Sequence, residues 1–335
     1  MSEALAAEIL AAESQLKGPS PDAWFARLDG ETARLEEALA LALEHDHEQG
    51  LGLGGALWPY WLARGQLDTG RSWLTKLLAA SEWGERSPAR AKALYGAGTL
   101  AFIQGDKEPS LRLHTESLAI ARELSDQGLE ADALIGLARV ALLDKDAFVM
   151  EQRAQASLDA ARSVADQVRV ATALHHMVEA MRRQGRYEEA VPLYHQSLEA
   201  HRALGDDGGV ALELHNLGNV ARLTGDMATA EARLRESLEL AASLKSARLV
   251  AYCLLGLANT ARERGAWRRA ARLLGASAAA FEKAGGTLDP DYVDDREKTL
   301  AGAEAALGVE TCATEIAAGR GLEPEAAVRE ALSPD

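Results

Sequence analysis

His175-His176-Met-Val-Glu179 sets two imidazoles and a carboxylate within about one helical turn, and His215 repeats the position of His175 one interval further on. Metal sites use such spacing, with His and carboxylate ligands projecting from one helix face. A metal nevertheless needs three or four ligands that converge. Equivalent residues on neighbouring helix pairs lie roughly 10 Å apart, a helix-packing distance. Shared ligation is therefore strained, and neither a metal nor another cofactor is expected. These histidines read better as side chains of a solvated groove. His45-Asp-His47 reads as a helix end. No GxSxG elbow and no Cys-His arrangement stands out, and serines that recur in a fixed column suit packing rather than nucleophilic attack. No catalytic residue is expected, and the chain is not read as an enzyme.

Binding chemistry is better represented. Asn216, Asn219 and Asn259 each carry a donor and an acceptor, which suits gripping an extended peptide backbone without reading its side chains. Arg182, Arg222 and Arg262 stand one interval apart, with Arg139 as a further guanidinium in a neighbouring column. Arginine forks match carboxylates and phosphates bidentately. The row would make a positive strip on an acidic protein. The bland reading is that arginine in a last helical turn favours the helix dipole without any ligand. The candidate groove residues are thus Arg139, His175, His176, Glu179, Arg182, His215, Asn216, Asn219, Arg222, Asn259 and Arg262.

The elements that would position them follow from a repeat. Six short turns are centred on residues 65, 105, 145, 185, 225 and 265, an interval of 40 each time. Five of these are Gly, which a helix needs where its backbone enters the left-handed region to stop; Lys145 is the exception and should cost a little. Leu94, Leu134, Leu174, Leu214 and Leu254 precede the turns at fixed spacing, and Leu78, Leu118, Leu158, Leu198 and Leu238 follow them. Ser117, Ser157, Ser197, Ser237 and Ser277 read as small residues at helix contacts, and Ala190, Ala230 and Ala270 as close crossings. The fold class is all-α: a right-handed superhelical solenoid of helical hairpins with helical caps. Residues 1–50 read as N-terminal capping helices, one short and one longer. Residues 51–285 read as six hairpins, and 286–335 as a C-terminal helical cap after the break at Gly285-Gly-Thr-Leu-Asp-Pro290. Hairpins of this kind bury their apolar faces only by stacking, so both ends need covering. Pro59 reads as a kink. Trp58, Trp61 and Trp73 read as core between the first hairpin and the N-terminal helices.

Composition narrows the partners. A formal charge of −15 repels phosphates over most of the surface, so direct nucleic-acid binding is not expected. No run approaches 18 apolar residues, so no membrane span is expected. Cys253 and Cys312 are the only cysteines and read as reduced, small apolar residues, which places the protein in the cytoplasm.

Asn216-Leu-Gly-Asn-Val-Ala221 with Gly225-Asp226, Ala230, Leu234 and Leu238 resembles the tetratricopeptide repeat, TPR. The usual period is 34 residues, so these units look like extended TPR hairpins with longer second helices and linkers. The resemblance implies that the first helix of each pair lines a concave surface, and Asn216 and Asn219 resemble the groove asparagines of peptide-binding TPRs. A second resemblance spans nearly the whole chain. Ala56-Leu-Trp-Pro-Tyr-Trp-Leu-Ala-Arg-Gly-Gln-Leu67, Gly70-Arg-Ser-Trp-Leu74, Arg269-Ala-Ala-Arg-Leu-Leu-Gly-Ala276 and Gly319-Arg-Gly-Leu-Glu-Pro-Glu-Ala326 are similar to the C-terminal sensor region of LuxR-type ATP-binding regulators. That region receives a small effector or protein partner and controls an ATPase and a DNA-binding module. This sequence has neither a GxxxxGK[ST] loop nor a helix-turn-helix candidate, so neither activity carries over. The chain is either free-standing or part of a longer regulator. The leading expectation is a signalling scaffold that binds a protein or peptide, an acidic peptide or other carboxylate-bearing ligand being favoured. A sensor of a small anionic effector is the alternative, and an enzyme using the His/Glu cluster is a distant third.

Overall fold

The computed structural model describes residues 2–16, 21–81, 86–284 and 290–333. Every element among them is a helix. The chain divides into two compact units, Met1–Arg186 and Tyr187–Asp335.

The first unit contains α1 (Ser2–Ala11), α2 (Glu13–Leu16), α3 (Asp22–Asp29), α4 (Thr32–His45), α5 (His47–Ala63), α6 (Leu67–Ala80), α7 (Pro88–Ile103), α8 (Lys107–Glu123), α9 (Gln127–Leu143), α10 (Ala147–Ser163) and α11 (Gln167–Arg183). The second contains α12 (Tyr187–Leu204), α13 (Asp207–Leu223), α14 (Met227–Ser243), α15 (Ala247–Glu263), α16 (Trp267–Lys283), α17 (Pro290–Leu307), α18 (Val309–Arg320) and α19 (Pro324–Leu332). Among the described residues four helices, not two, precede α5. One of the two extra boundaries falls at Gly30, whose amide bonds back to the Arg27 carbonyl (3.1 Å) and stops α3. The break before Pro290 lies, up to residue 289, outside the described residues.

The turn chemistry is written in the sequence. Gly65, Gly105, Lys145, Gly185, Gly225 and Gly265 all have φ between 55° and 90°. At Gly225 (φ 90°) the Asp226 amide reaches back to the Ala221 carbonyl (2.9 Å), the closure that satisfies a helix's last carbonyls. A second left-handed series lies halfway between: Ser125, Ala165, Gly205 and Lys245. Only one of these is Gly, which is why periodicity of glycine did not reveal it. An Asp follows many of these turns and caps the next helix. Asp126, Asp146, Asp166, Asp206 and Asp226 each accept a backbone N–H three residues on at 3.0 Å, a contact that contributes about 1 kcal/mol apiece. Asp46 does the same for α5 (3.0 Å), so His45 and His47 flank a helix cap.

Burial follows the leucine columns. Leu94, Leu134, Leu174, Leu214 and Leu254 are buried, as are Leu118, Leu158, Leu198 and Leu238. Each contributes roughly 2 kcal/mol by leaving water. Ala190, Ala230 and Ala270 have no exposed surface. The serine column does more than leave room. Ser117, Ser157, Ser237 and Ser277 donate to the carbonyls of Ala91, Ala131, Ala211 and Ala251 (2.6–2.9 Å), tying the second helix of a hairpin to the first. Trp61 is buried among the N-terminal helices and α5, Trp58 and Trp73 are half-buried against them, and Pro59 lies inside α5. Both cysteines are free and buried, and burial pushes the Cys253 thiol up to about 12. No helix among the described residues is long and apolar enough to cross a membrane.

Candidate functional site

In the first unit, the first helices α7, α9 and α11 turn Tyr95, Ile135, Arg139 and Thr172 to a common cavity of about 730 Å³. Its other wall comes from Glu13, Ser14 and Leu16 of α2, Phe25 of α3, and Trp58, Pro59 and Leu62 of α5. The N-terminal helices therefore border a ligand-sized space as well as covering a core. They are held there by specific bonds. Lys92 reaches Glu13 (2.7 Å), Arg64 clasps Asp29 through two N–H groups (2.9 and 2.8 Å), and the Tyr60 hydroxyl donates to Asp29 (3.1 Å).

Of the expected site residues, Arg139 and His176 meet: the guanidinium Nε donates to His176 Nε2 (3.1 Å). His176 Nδ1 donates to the Thr172 carbonyl (2.9 Å), which sets the tautomer that leaves Nε2 an acceptor. Burial, then the nearby Arg139 charge, holds His176 well below the ordinary imidazole range, so the ring is neutral. His175 packs edge-on against it (ring centroids 5.2 Å). Glu179 turns away to its own helix, taking Arg182 (2.9 and 2.6 Å) and Arg183 (2.9 Å). Burial alone would raise the Glu179 carboxyl; the two arginines hold it below the usual carboxylate range. Among the described residues no three His, Cys, Asp or Glu side chains converge to hold a metal.

Two glycines on these first helices make room for neighbouring side chains. A Cβ on Gly96 would stand 2.8 Å from the Trp58 ring, and one on Gly136 would stand 2.3 Å from the His114 ring. They are notches that admit large side chains from neighbouring helices. His114, on α8, fills the notch made by Gly98 and Gly136, packs against Tyr95 (5.4 Å) and is fully buried. Sequence reasoning passed over it because a lone His on a second helix carries no pattern.

In the second unit the expected groove face is already covered by the C-terminal helix α17. Arg222, which is buried, donates to Asp295, and Arg262 donates to the Asp295 carbonyl (3.1 Å) and to Thr299 Oγ1 (3.0 Å). Thr299 in turn donates to Asn259 (2.7 Å). Asn219 donates to His215 Nε2 (2.8 Å), and Tyr292 of α17 packs on the rings of His215 (6.0 Å) and Tyr252 (5.0 Å). Asn216 is buried with them. The strip of arginines is therefore not an open positive surface. Arg182 is held by Glu179, and Arg222 and Arg262 take a carboxylate from their own chain, since a buried guanidinium without a counter-charge is costly. Tyr292, Asp295 and Thr299 were missed as partners. Their spacing of three and four residues puts them on one helix face, the signal that could have shown them. Replacing Asp295 by Ala should strand Arg222 and cost about 2–3 kcal/mol, with Glu263 at 3.8 Å as partial compensation. Hydrogen exchange should then speed up across α17 first; unchanged protection there refutes the clasp.

Residues 169–243 match the family model of the tetratricopeptide repeat. Comparison with curated protein sequences finds no match. Among solved structures, a Rap protein complexed with Competence and Sporulation Factor superposes with a TM-score of 0.63 at 16% identity, covering 98% of this chain and 96% of that one. The apo form of the quorum sensor NprR from B. thuringiensis gives a TM-score of 0.60 at 17% identity, over 91% of this chain and 82% of that one. NprR in complex with its cognate peptide NprX gives 0.58 at 16%, over 96% and 89%. At these identities the likeness establishes the fold: an all-helical chain of TPR-like hairpins.

Proposed function

We propose that this chain is a non-catalytic TPR-type scaffold of bacterial signalling that binds a peptide or protein segment on the first-helix face of its first unit. The observation that carries this reading is the cavity of about 730 Å³ walled by α2, α3, α5, α7, α9 and α11, within the size of ligand sites generally. The solved relatives support it in kind, being complexes with a sporulation factor and with a cognate peptide. The similarity of the flanks to sensor regions of LuxR-type regulators points the same way: binding on the repeats would act on a partner or on an attached ATPase or DNA-binding module. A small anionic effector is the second reading, favoured by the way α2 and α3 border the cavity.

The test is selection of short peptides from a random display library on the full chain, followed by titration against a variant whose cavity is filled. Thr172 borders the space and is half-buried, so Thr172→Trp occupies it without opening the core. Selected peptides are expected to lose at least about tenfold in affinity, roughly 1.4 kcal/mol, at unchanged melting temperature. Peptides that bind the variant as well as the parent chain show that the face is misassigned.

A further inference from the structure

Arg139 is an unneutralised charge. Its Nε donates to His176 Nε2 (3.1 Å) and its Nη1 to the Tyr95 hydroxyl (3.3 Å), and both partners are neutral groups. No carboxylate among the described residues pairs with it. The acids that share the cavity are held by other cations: Glu13 by Lys92 (2.7 Å), and Asp132 and Asp166 by Arg169 (2.7 and 2.5 Å). Asp166 is further committed to the first amides of α11, capping the helix through Arg169 N (3.0 Å). Arg139 stands half-buried, and among the described residues no acceptor meets its Nη2 donors. Burial and then the Arg139 charge depress both His114 and His176. A carboxylate could have quenched that charge, yet the side chains bonded to it are an imidazole and a phenol.

A guanidinium taken partly out of water is unfavourable without an anion. Besides these paired charges the cavity wall offers apolar side chains, Phe25, Trp58, Leu62 and Ile135 among them. We infer that the cavity takes an apolar monocarboxylate, its head bidentate on Arg139 and its body against Phe25, Trp58, Leu62 and Ile135. The inference rests on the reading that the first unit's helix face binds ligands. One uncompensated positive charge matches one negative charge; a phosphate dianion would call on Lys92 or Arg169, and both are already paired. His176 makes the anchor selective. Held neutral, it accepts from Arg139 Nε while Tyr95 accepts from Nη1, which leaves the second Nη1 hydrogen and those of Nη2 for a planar carboxylate.

The same chemistry has two sources, a free organic acid and the carboxyl-terminal residue of a peptide. The experiment uses the full chain, with intrinsic tryptophan fluorescence as the readout. The probes are 3-phenylpropionate, 3-phenylpropionamide, and a tetra-alanyl-phenylalanine peptide as free acid and as carboxamide. At least one acid is expected to bind at least about tenfold tighter than its amide. Arg139→Gln should erase that preference, and Arg139→Lys, which keeps charge but not the fork, should restore part of it. Binding of phenylpropionate alone assigns a free acid, and binding of the peptide acid alone assigns a chain terminus. If acid and amide bind equally and Thr172→Trp blocks both, the anchor is wrong while the ligand-binding face stands. If no probe binds, the face reading falls with the anchor.

Discussion

Gly319→Ala is expected to cost the second unit at least about 3 kcal/mol and to detach α18 before anything else unfolds. A Cβ at residue 319 would stand 1.8 Å from the Arg272 carbonyl oxygen, and one at Gly275, on the opposing helix, 2.0 Å from that of Ile316. The two glycines let α16 and α18 cross backbone to backbone. No flexible side chain is available to yield, so the helices must separate, and overpacking costs run to 3 kcal/mol and beyond when the backbone has to move. Separation also draws Glu315 from Arg272 (3.0 and 2.6 Å) and Arg268 (3.0 Å). Denaturant midpoints and hydrogen exchange along α18 provide the measurement. A variant that melts like the parent chain, within about 2 °C, refutes the crossing.

Acid should weaken the first unit through His114. Burial lowers this imidazole to about 3, the Arg139 charge adds to the effect, and the Gly98 backbone opposes it only weakly. The Gly98 carbonyl also accepts from Ser110 Oγ (2.9 Å). The sign follows from proton counting. Between pH 3 and the ordinary imidazole value of 6.5 the unfolded chain binds a proton that the folded chain refuses, so stability rises with pH in that window. It is fully present above about 6.5 and falls by roughly 1.4 kcal/mol per pH unit below it, until the folded ring titrates. His176, also depressed, acts in the same sense. His114→Leu keeps a side chain in the Gly98–Gly136 notch and removes one proton from the linkage. Its unfolding free energy should be distinctly flatter between pH 6.5 and 4 than that of the parent chain. Parallel curves for the two proteins contradict the assignment.

The groove residues were legible only in part. Helical spacing identified which residues leave the first helices on a shared side: Arg139 and His176 do meet, and His215 and Asn219 do. Spacing could not say what faces them. Arg182 looks like a member of a strip in the sequence, yet Glu179, three residues away, takes its charge. Arg222 and Arg262 look free for a ligand, yet Asp295, far along the chain, is already there. Arg139 stands one column away from them, a difference that says nothing about which charge is paired. Its lack of a counter-charge emerges only when α7, α9 and α11 come together.

Sequence alone determined the helical hairpins and the turns at their centres, because the requirement for a left-handed residue and a buried leucine stripe is local and recurs every forty residues. It did not determine which charges are spent. Ion pairing is decided by a few ångströms between segments distant in the chain, as between Arg222 and Asp295 or Lys92 and Glu13. A side chain's neighbours across a helix interface obey no period, so only the packed helices assign Asp295 to one guanidinium and leave another facing a cavity.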